Sequence, residues 1–201
     1  MKIHALVAGL ALALANASPA TAHTNVYSTS LFGSLENPVN TSPGAGVAVV
    51  TFDLDTLMMR VQAGFNGLTG NVTMAHIHCC TAPPGNVGVA TPTPSFPGFP
   101  AGAGVNFGFY DQTFDMSLAS SYNGAFITGN GGTVGTALNA FVAGLDAGRA
   151  YFNIHTSVFP GGEIRGFLQP IPEPETYAMM LAGLALVGWM AARRRGFRPQ
   201  A

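Results

Sequence analysis

Three short stretches of this chain alternate polar and apolar residues in step, and that period confines them to β-strands. In Met74-Ala75-His76-Ile77-His78 the two histidines flank Ile77. In Tyr151-Phe152-Asn153-Ile154-His155, Asn153 and His155 share a parity opposite Phe152 and Ile154. In Gly162-Glu163-Ile164-Arg165-Gly166, Glu163 and Arg165 flank Ile164. Successive side chains of a strand point to opposite faces, so each stretch offers an isoleucine to a core and a polar set to the other side. If the three strands are neighbours, His76, His78, Asn153, His155, Glu163 and Arg165 form one polar patch, while Ile77, Ile154 and Ile164 belong to the core.

The rest of the body reads as strand, turn, strand. Residues Tyr27 to Leu35 alternate, and Val47 to Leu54 with Leu57 to Phe65 read as an antiparallel hairpin around Asp55-Thr56. Asn66-Gly67 and Thr69-Gly70-Asn71 punctuate the chain before the strand Val72 to His78. Ala82 to Gly104 carries Pro83, Pro84, Pro92, Pro94, Pro97 and Pro100. Proline removes ladder donors, so this segment is expected as a long surface loop, with Phe96 and Phe99 folding back onto the core. A further strand is expected within Phe107 to Leu118. Between Thr133 and Leu145 the apolar spacing changes to threes and fours, through Val134, Leu138, Phe141, Val142 and Leu145, which predicts a short amphipathic helix. Strands Ala150 to Thr156 and Gly162 to Leu168 close the body around Pro160-Gly161. The expected fold is mainly β: an antiparallel sandwich or small barrel with one short helix.

The two ends are different in kind. Met1-Lys2, the apolar run Ile3 to Ala15 and the small residues Ala20-Thr21-Ala22 have the layout of a signal peptide over residues 1–22, with signal peptidase cutting before His23. At the other end Pro172-Glu173-Pro174 precedes a charge-free run of 16 residues, Tyr177 to Ala192, and then Arg193-Arg194-Arg195. Such a run makes a helix of about 24 Å, slightly short of a hydrocarbon core of roughly 30 Å. The arginines behind it can snorkel and hold that end in the cytoplasm. Residues 23–169 remain as one domain. It carries three arginines against seven carboxylates, a net charge of −4 with neutral histidines, and no lysine. That balance cannot neutralise phosphates, which argues against a nucleic-acid partner.

Pro172, Glu173 and Pro174, the apolar segment 177–192 and Arg193 to Arg195, in that order, resemble the PEP-CTERM sorting signal of Gram-negative bacteria. The resemblance implies recognition and cleavage by an exosortase, a transient inner-membrane intermediate, and delivery to the cell surface or an extracellular polysaccharide matrix. Ala75-His76-Ile77-His78, Tyr151 to Thr156 and Pro160-Gly161-Gly162-Glu163-Ile164-Arg165-Gly166 resemble the signature segments of the CHRD domain, as do the opening strand and the Asn66-Gly67-Leu68 turn. That resemblance implies a β domain of extracellular proteins with no established catalytic activity, here a surface or matrix component binding exopolysaccharide, other matrix proteins or itself. Cys79-Cys80 and the long proline segment depart from the family pattern beside His78.

Only the histidines suggest chemistry. His76, His78 and His155 could bind zinc or copper, since His-X-His on a strand sets two imidazoles on one side and a neighbouring strand can supply a third. The competing reading makes them hydrogen-bonded partners of Asn153, Glu163 and Arg165 in a buried polar network. A metal-binding envelope protein, or a metal-dependent oxidoreductase, is thus the alternative to a non-enzymatic binding domain. The adjacent Cys79 and Cys80 allow a vicinal disulfide, free thiols, or intermolecular or metal use. No nucleophile elbow, phosphate loop or Cys-X-X-Cys pair is present.

Overall fold

The computed structural model describes residues 23–172 and 180–190. The expected signal peptide, Glu173, Pro174, Arg193, Arg194 and Arg195 lie outside the described residues, as do parts of the 177–192 segment. Residues 180–190 are helical and expose Leu181, Leu184 and Val187. Among the described residues no helix is long and apolar enough to cross a membrane.

Eight strands form one antiparallel sheet: β1 (Thr24–Phe32), β2 (Ala45–Asp53), β3 (Met58–Asn66), β4 (Val72–Cys79), β5 (Gly108–Asp115), β6 (Ala150–Thr156), β7 (Ile164–Phe167) and β8 (Gln169–Ile171). Their spatial order is β4-β6-β7-β1-β2-β3-β5, with β8 also paired to β1. The sheet curls into a half-barrel, as its mainly β, antiparallel sequence pattern predicts. There are two helices, α1 (Gly124–Gly129) and α2 (Val134–Asp146); α2 packs against β6 and β8, and α1 packs on α2 through Phe126 and Phe141. The sequence predicts only α2. α1 has six residues, too few to display a helical period, and is started by Asn123, whose side chain accepts from the Ala125 amide. Thr133 and Thr136 form a capping box at the start of α2.

The predicted hairpin of β2 and β3 is present with Val50 opposite Val61 and Phe52 opposite Met59, all fully buried. Ile77, Ile154 and Ile164 are likewise fully buried, and Ile154 lies opposite both Ala75 and Ile164. The first strand stops at Phe32, and Gly33–Leu35 form a 3-10 turn in place of its expected last residues.

The proline-rich segment does more than cross the surface. Phe96 sits 5.4 Å from Phe114 and 5.8 Å from Phe152, and Phe99 stacks on Phe65 at 5.6 Å. Between them and Val87 the segment lies along the outer edge of β4. There the Ala75 amide donates to the Ser95 hydroxyl and the Ile77 amide to the Thr91 hydroxyl, while the Cys79 amide reaches the Gly88 carbonyl. Hydroxyls and carbonyls thus satisfy an edge that would otherwise invite another strand. The β4 carbonyls in turn accept from the non-proline amides of Ala90, Phe96 and Gly102, so the missing proline N–H groups are not needed there.

Candidate metal centre

β4, β6 and β7 are adjacent, so the three alternating stretches come together as their parity predicts. His76 faces Asn153 across the β4–β6 pair, Asn153 faces Arg165 across the β6–β7 pair, and His78 faces Tyr151. The polar side of these strands is not open to water, however. His76, His78, Asn153, His155, Glu163 and Arg165 are all buried. Loops around residues 84–94 and 157–162 supply partners to the histidines, and residues 35–36 and 84–86 supply those of Arg165.

Each imidazole is fixed by one backbone carbonyl. His76 Nε2 donates to Pro94, His78 Nδ1 to Val87 at 2.8 Å and His155 Nδ1 to Pro160 at 2.9 Å. A neutral imidazole that donates through one nitrogen presents a lone pair at the other. Those other nitrogens, His76 Nδ1, His78 Nε2 and His155 Nε2, are buried and have no hydrogen-bond partner. One nitrogen of each ring lies within 4.8 Å of one from each of the other two, and the ring centroids are 5.3–5.9 Å apart.

Burial holds all three rings neutral. It lowers the pKa of His76 and His155, and pushes His78 down to about 4, with the neighbouring histidines and Arg165 adding to the effect. The expected hydrogen bonds from the imidazoles to Asn153, Glu163 and Arg165 are therefore replaced by bonds to carbonyls. Three buried lone pairs without donors are unfavourable by about 1–3 kcal/mol each, and a cation among them would meet that need. Imidazole donors in this number suit zinc or copper.

Glu163 belongs to a separate cluster. Its carboxylate accepts from the Ser42 and Thr156 hydroxyls and from the Thr69 and Gly70 amides. Burial pushes its carboxyl up, but these four bonds outweigh that and hold it below the usual range. Parity fails here because Glu163 precedes β7 and follows Gly162, whose φ of +132° turns the chain. Arg165, 1% exposed, pairs instead with Glu36 at 3.7 Å. Its guanidinium also donates to Leu35, Pro84 and Asn86 and lies 4.8 Å over the Tyr151 ring, which stacks on His78 at 4.7 Å. Arg165 thereby ties down the loop that carries Val87, the carbonyl holding His78.

Sequence reasoning missed Glu36, which follows the 3-10 turn in a segment without periodic pattern. Burial raises its pKa to about 7, partly offset by Arg165. Of the readings open for Cys79 and Cys80, the structure has the vicinal disulfide. It packs against α2 at Gly144, where a Cβ would strike both sulfurs.

A CHRD domain model matches residues 27–168, and a PEP-CTERM protein-sorting motif matches residues 170–195. No curated protein and no solved structure matches the chain. The sorting motif marks an exported protein that passes by way of the membrane and is processed by exosortase. The chain therefore belongs to the CHRD domain family, with a PEP-CTERM sorting motif following the domain.

Proposed function

We propose that this exported protein is a non-enzymatic metal-holding component of the cell surface or extracellular matrix. One zinc or copper ion is held by His76, His78 and His155. The reading is carried by one observation: three buried imidazoles, each left with a partnerless nitrogen because a carbonyl takes the other, offer one nitrogen apiece within 4.8 Å of one another. A purely structural network gives its imidazoles two partners. Here each has one.

Metal analysis tests this directly. Protein incubated with Zn2+ or Cu2+ and then dialysed is expected to retain one equivalent, and His78→Ala to lose it while still unfolding cooperatively. Wild-type protein that returns to background metal content after dialysis would end the metal reading.

A second reading, assembly with copies of itself or with other matrix material including exopolysaccharide, is supported by the opposite end of the sheet. There the edge strand β5 exposes Phe109, and Val47 and Phe107 are exposed as well. Concentration-dependent sedimentation that Phe109→Ser abolishes would support self-assembly, and a monomer at all concentrations would remove it.

A further inference from the structure

Resting on the metal reading above, we infer that the ion carries an exchangeable water as a further ligand, held by Asn153 and Glu36. A small hydroxylic molecule that offers the ion a lone pair and the two side chains an O–H can replace that water. Among the described residues, five buried side-chain atoms lack a hydrogen-bond partner: the three imidazole nitrogens, Asn153 Oδ1 and Glu36 Oε1. Above about pH 7, where Glu36 is ionised beside Arg165, all five are acceptors. An ion satisfies the nitrogens and leaves two oxygens that need donors, and the two O–H groups of one bound water provide them.

The backbone sets these oxygens beside the histidines. Asn153 lies opposite His76 and two residues from His155, so it shares their face of the sheet. Glu36 is drawn to the same place by Arg165, itself opposite Asn153. A Cβ on Gly162 would stand 2.6 Å from Asn153 Nδ2 and 2.7 Å from both Asn153 Oδ1 and Glu36 Oε1, so only glycine fits there. The two oxygens lie close enough together for a single water to bridge them.

Glu36 and Gly162 also line a cleft of about 590 Å3, together with Asn40, Asn86, Phe159 and Pro160. Pro160 is also the residue whose carbonyl holds His155. A small molecule would approach Glu36 through this cleft. An anionic ligand without hydrogens, such as azide, would meet the Glu36 carboxylate and be disfavoured.

The test loads the full chain with Cu2+ and measures solvent-proton relaxation together with an azide titration followed by visible absorption. Bound copper is expected to accelerate solvent-proton relaxation well above the zinc-loaded protein. Azide is expected to bind wild type weakly and Glu36→Gln roughly ten-fold tighter, since the substitution replaces a repelling carboxylate by a donor. Stoichiometric copper that leaves solvent protons unaffected, or an azide affinity equal in the two proteins, overturns this inference and leaves the metal reading intact. Failure of the wild-type chain to bind either copper or zinc removes both.

Discussion

The two ends of the sheet use the same alternation to opposite effect. Along β2, β3 and β5 one face is apolar and buried, with Val50, Phe52, Val61 and Phe114, while the other meets water and carries the exposed Arg60–Asp111 pair. Along β4, β6 and β7 both faces are buried, and every residue of β6 is enclosed. The first end follows the usual economy of a one-sided sheet, in which polar side chains are solvated. The second encloses charged and imidazole groups under loops, where each must find a partner inside the protein. Glu163 and Arg165 find theirs. Three imidazole nitrogens do not. A buried face that is unfavourable unless something is bound is the mark of a site rather than of a scaffold, and the open face carries no such signature.

Substitutions that strike the two ends unequally sharpen this contrast. The largest effect is expected in the core shared by the site strands: Ile154→Ala should lower stability by about 4 kcal/mol, as large-to-small changes at enclosed positions do. Denaturant unfolding measures it, and a loss below about 1 kcal/mol would mean Ile154 is not a core residue. Two arginines then make a matched pair. Arg165→Ala should cost roughly 3 kcal/mol, because it strands buried Glu36 and releases the loop at Pro84 and Asn86. Arg60→Ala removes a bidentate but solvent-exposed pair with Asp111 and should leave the midpoint unchanged within error. Equal losses from both would erase the contrast between the faces.

Acid should produce the next effect. His76, His78 and His155 have folded pKa values below that of the unfolded chain, so the unfolded state binds more protons as pH falls. Their contribution is fully present above about 6.5 and is lost between there and about 4, the value for His78. Glu36 acts in the opposite sense: raised to about 7, it favours the folded state in acid and loses that contribution as pH rises through 7. Three imidazoles, with the lowered Glu163, oppose one carboxyl, so the metal-free protein is expected to lose stability as pH falls towards 4. Glu36→Gln should deepen that loss by removing the opposing group. Stability that stays flat from pH 7 to 4 in both proteins would contradict the burial of neutral imidazoles.

What the sequence displayed was local. The alternation in 74–78 and 151–155 names the residues on each face, and it correctly separates Ile77 and Ile154 from His76, His78 and His155. What it hid was contributed from a distance. The carbonyls of Pro94, Val87 and Pro160 are backbone groups with no sequence signature, yet they decide which imidazole nitrogen is left over. Glu36 gave no signal because it lies in an irregular segment and acquires its role only through Arg165. Glu163 misled because its parity holds on paper and is undone by the turn at Gly162. The prolines of 83–100 read as surface loop, and it is the neighbouring Ser95 and Thr91 hydroxyls that turn this segment into the cover of an edge strand.

X-ray absorption on the metal-loaded protein tests the account most directly. The predicted spectrum shows nitrogen scatterers at about 2.0–2.1 Å, the multiple-scattering pattern of three imidazoles and no sulfur. A sulfur shell near 2.3 Å, which would mean that Cys79 and Cys80 rather than the three histidines hold the metal, would contradict it.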